Sequence, residues 1–233
     1  MTFLGINGLY WIIFIGVAVV SWIIQNALQK AFKDYSSIPS EGYLTGKDVA
    51  QKMLHDNDIY DVQVVCIPGQ LTDNYNPTNK TLNLSKEVYY GNSVASAAVA
   101  AHECGHAVQH ALAYAPLQMR SALVPVVSFS SKFVPWILMG GMLLLKVFPG
   151  LMLAGLILFG LTTLFSFVTL PVEINASQRA LAWLNKSNIT SPATHPKAQR
   201  ALRLAAYTYV VAALSSLATL LYYAVIYMGG RRD

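Results

Sequence analysis

The sequence predicts a mainly α, multi-pass membrane protein with about four transmembrane helices and a small α+β insert. Three observations carry this. Charged residues make up 12% of the 233 positions, about half the share of a soluble domain, and mean hydropathy is +0.44. Long apolar runs alternate with two polar loops. Between the first runs lies His102-Glu103-Cys104-Gly105-His106, a complete HExxH motif on an alanine-rich stretch preceded by a candidate β-hairpin. A very apolar soluble core is excluded, because soluble helices carry a polar face.

Residues 1–29 read as the first transmembrane helix. No charge occurs before Lys30, and Gly8 to Ile24 is an apolar run rich in aromatics. A positive n-region and a small-residue cleavage site are both missing, so an uncleaved anchor is expected rather than a signal peptide.

Residues 30–120 form the membrane-proximal insert. Thr45-Gly46-Lys47-Asp48 is a capping-box variant opening a helix with Val49, Met53 and Leu54 as its apolar stripe. Ile59 to Ile67 reads as a strand closed by Pro68-Gly69. Leu71 to Tyr75 and Thr81 to Leu84 flank Asn76-Pro77-Thr78-Asn79, a turn with proline at its second position, giving a hairpin. The HExxH helix follows over 93–114, free of proline, with Asn92 or Ser93 as N-cap.

Residues 121–170 are a connector and a transmembrane hairpin. From Phe133 to Val172 the single charge is Lys146, too long a stretch for one span, and Phe148-Pro149-Gly150 supplies the turn. Starting the second span near Phe129 lets Lys132 snorkel at the interface beside Phe133 and Trp136. Pro116 to Val127 would then be helix or connector at the membrane surface. Residues 171–204 read as a cytoplasmic helix, running from Glu173 through Ser177 and Leu181, and a loop. Residues 205–233 hold the last span, Ala205 to Met228, and a tail with Arg231 and Arg232.

Lysines and arginines set the expected orientation. Lys30, Lys33, Lys47, Lys52, Lys80, Lys86 and Arg120 follow the first span, and Arg179, Lys186, Lys197, Arg200 and Arg203 follow the third. The positive-inside rule places both loops, and the catalytic site with them, in the cytoplasm. This asymmetry accounts for the net charge of +5 without nucleic acid. Cys66 and Cys104 have no zinc-ligand spacing, and packing is the expected role of each.

The chemistry centres on the motif. At i and i+4 two histidines share a helix face and can bind one metal ion, while Glu103 leans towards the same site to act on water. A working site needs a third protein ligand. His110 lies about 12 Å from His102 on a straight helix, too far to share an ion with bonds of roughly 2 Å. The elongated metzincin motif is absent, since its glycine and third histidine would fall at Gln109 and Leu112. Glu173 is the sole acidic residue between Glu103 and Asp233, which makes it the third-ligand candidate; the alternatives are pairing with Arg179 or capping its own helix. The strand Thr81, Leu82, Asn83, Leu84 is expected to pair with an extended substrate as an added edge strand. An oxyanion donor is also expected, and His195, Arg203, Tyr207 and Tyr209 all remain open.

A resemblance rests on Leu71-Thr72-Asp73-Asn74-Tyr75, Thr81-Leu82-Asn83-Leu84-Ser85, the run from Ala101 to His110, and Pro171-Val172-Glu173-Ile174-Asn175-Ala176-Ser177. Together these resemble the YugP-type neutral zinc metallopeptidases, bacterial multi-pass membrane proteins, over nearly the whole chain. The arrangement is similar, more distantly, to gluzincin membrane proteases of the HtpX and Ste24 type. The resemblance implies a zincin-like insert and one Zn2+ per chain held by His102, His106 and Glu173. It further implies Glu103 as general base, peptide or membrane-protein substrates, and a bacterial cell membrane as the location. The distant relatives have an aspartate after the third ligand, where this chain offers Asn175 and Ser177.

Other classes fit less well. A site-2-type intramembrane protease needs an aspartate ligand in a later span, and none occurs between Asp73 and Asp233. A transporter would have four spans with no other intramembrane carboxylate, a poor ion pathway. A non-catalytic zinc scaffold or adaptor would be expected to lose Glu103 first, and it is intact. The oligomeric state is not encoded in any recognisable feature.

Overall fold

The structure, a computed structural model, describes residues 3–230, with side chains at position 8 and positions 11–229. Met1 and Thr2 of the expected first span, and Arg231, Arg232 and Asp233 of the expected tail, lie outside the described residues. Among the described residues seven α-helices and three strands run in the order α1 (Phe3–Ser36), α2 (Gly46–His55), β1 (Gln63–Ile67), β2 (Asn74–Asn76), β3 (Thr81–Ser85), α3 (Lys86–Tyr90), α4 (Val94–Ala111), α5 (Ala115–Leu143), α6 (Pro149–Lys186) and α7 (His195–Gly230). Among the described residues four helices are long and apolar enough to cross a membrane: α1, α5, α6 and α7. The chain is thus mainly α, multi-pass, with a small α+β part.

Its contacts divide it into two units. One comprises residues up to Ile23, Met119–Leu170 and from Thr208 onward. Within it Gly141 lets α5 and α6 touch: a Cβ there would lie 2.6 Å from the Met152 Cα. Val134, Leu138 and Met152 pack at this contact, and the Thr163 and Ser216 hydroxyls pair at 2.7 Å. Large side chains such as Trp11, Ile12, Trp136 and Leu143 stay exposed, as expected of surfaces that face lipid.

The other unit, Ile24–Gln118 with Pro171–Tyr207, contains the insert. Thr45 and Asp48 form the expected reciprocal cap on α2, and the Ser93 side chain accepts from the Ser96 amide at the start of α4. Helix α4 is buried along nearly its whole length. Its alanines at 97, 98, 101 and 107 present no bulk, so Val49 and Met53 of α2, Leu82 and Leu84 of β3, and Ala180 and Leu184 of α6 close around it in one core.

The expected hairpin forms as β2 and β3, antiparallel with Tyr75 opposite Leu82. Strand β1 adds parallel to the other side of β3, giving the order β1-β3-β2. This corrects the expectation for Thr81, Leu82, Asn83 and Leu84. Both edges of β3 are already paired, so no substrate strand can be added there, and Leu82 and Leu84 are fully buried in the core.

Helix boundaries also differ from expectation. Strand β1 starts at Gln63 rather than Ile59, because Asp58 turns left-handed (φ 57°) and the Ile59 amide closes onto Leu54 O, ending α2. Pro116 to Val127 belongs to α5, which continues through Pro125 and Pro135. Pro171 likewise lies inside α6 and does not begin a new helix. Each proline removes one backbone bond, but in apolar surroundings breaking the helix would expose far more unpaired backbone. The hairpin turn falls over residues 144–148, with Pro149 opening α6 as a first helical residue tolerates. Cys104 is buried as expected; Cys66 is exposed, so packing is not its role.

Candidate metal centre

Helix α4 stacks His102 and His106 one turn apart, with ring centroids 4.9 Å from each other. Helix α6 brings Glu173 against both. Its Oε2 lies 3.3 Å from His102 Nε2 and 3.6 Å from His106 Nε2, and the ligand atoms of the three residues lie within 4.8 Å of one another. Side-chain exposure is 15%, 10% and 4% for His102, His106 and Glu173, so the cluster is enclosed without being sealed.

The close approach of α4 to α6 depends on Gly105, where a Cβ would sit 2.6 Å from Ala176 O. One turn further along α4, Gln109 meets Val172 and Asn175, so the two helices run in opposite directions across the contact. Gln109 is fully buried. Its Oε1 faces His106 Nδ1 at 3.0 Å, while its Nε2 donates to Val172 O at 2.8 Å and Asn175 Oδ1 at 3.0 Å. Arg179 Nε donates to the same Asn175 oxygen at 2.8 Å. The His102 Nδ1 has the Ser177 hydroxyl at 3.1 Å. Burial opposes charging of the His106 imidazole, but Glu173 and Glu103 outweigh it and hold its pKa above the usual histidine value.

Glu103 is buried, and its Oε2 accepts the Tyr75 amide of β2 at 3.0 Å. That bond orients the carboxylate and ties the outer edge of β2 to α4. Tyr75 also directs its hydroxyl to His110 Nδ1 at 2.9 Å, so His110 belongs to a neighbouring pair and not to the three-residue cluster.

The donor set suits zinc: two imidazole nitrogens and one carboxylate oxygen converge, and each histidine has a partner on its other nitrogen, as metal-bound histidines do. Of the oxyanion candidates, His195 opens α7 with its Nδ1 on the Thr190 hydroxyl at 2.9 Å. Arg203 and Tyr207 lie exposed further along α7, and Tyr209 falls in the other unit. Sequence reading missed Gln109 and Tyr75 as supports. Gln109 had a local signal, since it stands three residues after His106 on the same helix face; Tyr75 had none, because its contact with Glu103 is between backbone and side chain across distant segments.

Comparison with known proteins gives a concordant result. The family described as "Putative neutral zinc metallopeptidase" matches residues 10–228. The chain is similar to a Bacillus subtilis (strain 168) protein named "Putative membrane protease YugP", with 39% identity over 223 residues, covering 95% of this chain and 98% of the relative. No solved structure matches the chain. With a family match spanning the HExxH helix, Glu173 and all four apolar helices, and a relative alike over nearly its full length, the chain belongs to this family of neutral zinc metallopeptidases.

Proposed function

We propose that the protein is a membrane-embedded zinc endopeptidase of the gluzincin type, with one zinc per chain held by His102, His106 and Glu173. The observation that carries this is the convergence of those three ligand atoms within 4.8 Å, beside the buried Glu103. When bound, zinc supplies a Lewis acid that polarises a scissile carbonyl and acidifies water. Glu103 then has the proton-handling role. With Oε2 held by the Tyr75 amide, its other oxygen is left to receive a proton from the attacking water and return it to the leaving amine. Peptides or membrane proteins reached from the cytoplasmic side are the substrates this arrangement suits.

The test compares purified protein with Glu103→Gln for zinc content and for cleavage of casein and peptides. Zinc is expected to stay at about one per chain in both, with cleavage lost by a factor of at least about 10² in the variant. Wild-type protein that holds zinc but cleaves nothing across a broad substrate panel would favour a non-catalytic zinc scaffold. Cleavage unchanged by Glu103→Gln would remove Glu103 from the mechanism.

A further inference from the structure

The hydrogen bonds behind His106 have a polarity that can be worked out atom by atom. Arg179 Nε carries a hydrogen and can only donate, so the Asn175 atom 2.8 Å from it is the amide oxygen. That same oxygen faces Gln109 at 3.0 Å, which requires the donor end of the Gln109 amide there. The backbone oxygen of Val172, an acceptor at 2.8 Å from the same Gln109 nitrogen, imposes the same orientation independently. An inverted Gln109 amide would set its oxygen against two acceptors in a fully buried position, an arrangement burial heavily disfavours. Gln109 therefore presents Oε1 to His106 Nδ1 at 3.0 Å. An amide oxygen only accepts, so Nδ1 carries a ring proton in either charge state, and Nε2, the nitrogen facing Glu173, is the one that can be given up to a metal.

We propose that Arg179, Asn175 and Gln109 form a positioning relay that keeps a proton on His106 Nδ1, fixes the ring's orientation and so reserves Nε2, the nitrogen beside Glu173, for the metal. His102 lacks this constraint. The Ser177 hydroxyl opposite its Nδ1 can donate or accept and rotates to suit. The two histidines of the motif thus have different preparation, one locked from the side of α6 and one adaptable. The orientation comes from neutral amides whose direction is set by an arginine. The relay adds no negative charge beside Glu103 and Glu173, which already place two carboxylates at the cluster.

This inference rests on the zinc reading, and the experiment separates the two. Full-length protein in detergent, labelled with 15N-histidine and freed of metal, would be compared with Gln109→Leu, Asn175→Leu and Asn175→Asp. The His106 signal is assigned from a His106→Asn sample. Two readouts apply: the ring-nitrogen shifts, which report the tautomer, and zinc affinity by competition with a chromophoric chelator. Wild type is expected to show His106 protonated at Nδ1. Gln109→Leu is expected to mix the tautomers and weaken zinc binding by about 10- to 100-fold. Asn175→Leu should act in the same direction. Asn175→Asp should restore both, because its carboxylate still accepts from Gln109 and Arg179. That rescue is what simple packing would not produce, and the Asn175 pair decides the matter if Gln109→Leu does not fold. Unchanged tautomer and affinity in the leucine variants, with zinc still bound by wild type, would overturn the relay and leave the metal site standing. No zinc binding by wild type, with His106 still protonated at Nδ1, would overturn the zinc reading and leave the relay.

Discussion

The proposed centre gives its two glutamates opposite tasks, and the surroundings of each support the division. Glu103 is turned to the β2 edge by the Tyr75 amide, whereas Glu173 points its Oε2 between two imidazoles. Replacing Glu173 by glutamine keeps the shape but supplies a neutral oxygen, a far poorer ligand for zinc. Glu173→Gln is therefore expected to lose most bound zinc, at least about tenfold in affinity, and activity with it, measured by metal analysis of purified protein. Full occupancy in that variant would mean that the third ligand lies elsewhere. The motif residues were legible from spacing alone, because i and i+4 on a helix is a local relation. Glu173 was legible for a different reason: carboxylates are so scarce in the second half of the chain that few choices exist. Gln109 was visible in sequence but its role was not, since its partners Val172 and Asn175 come from a segment more than sixty residues away.

At the scale of elements, the site is a helix crossing. The Gly105–Ala176 contact sets how near α4 and α6 lie, and with it the reach of Glu173 to the histidines. Helix propensity alone would reward Gly105→Ala by about 1 kcal/mol. A methyl 2.6 Å from a backbone oxygen must instead push the helices apart, an overpacking cost of about 1–3 kcal/mol. Gly105→Ala is expected to lower both melting temperature and zinc affinity, read by thermal unfolding in detergent and chelator competition; a stabilised variant with unchanged affinity would refute the close contact. Helix α6 also shows why local rules misjudge this chain. Its 38 residues extend about 57 Å, well beyond a hydrocarbon core of roughly 30 Å, so one uninterrupted helix both spans and carries Glu173. Pro171 suggested a boundary because a proline usually ends a helix in water. The threonine and serine hydroxyls at 162, 163, 166 and 169, each bonded to a carbonyl of the preceding turn, reflect the apolar setting in which continuity wins. The capping box at Thr45 and the β2–β3 hairpin were readable because their partners are close in sequence. The central place of β3 was not, because its parallel pairing with β1 is a non-local choice that strand periodicity does not encode.

For the molecule as a whole, the open question with a sharp answer is which side of the membrane the cluster faces. Lysines and arginines are concentrated in the two loops that build the α+β unit, which predicts a cytoplasmic site. The chain supplies its own reporter. Cys66 on β1 is exposed, whereas Cys104 is fully buried, and burial together with the charge of Glu103 raises its thiol pKa and keeps it unreactive. A membrane-impermeant maleimide should therefore report on Cys66 alone. In intact cells Cys66 is expected to stay unlabelled and to react once the membrane is permeabilised. The opposite probe is Gly150→Cys in a Cys66→Ser background: position 150 is exposed, and a Cβ there meets nothing closer than 3.8 Å, so the substitution fits. It lies in the first turn of α6, beside the hairpin turn between the second and third spans, and is expected to label from outside without permeabilisation. The reverse pattern, with Cys66 labelled in intact cells and position 150 protected, would put the catalytic unit outside the cytoplasm. Substrates would then have to be sought among exported peptides, while the chemistry assigned to Glu103 and the three ligands would be untouched.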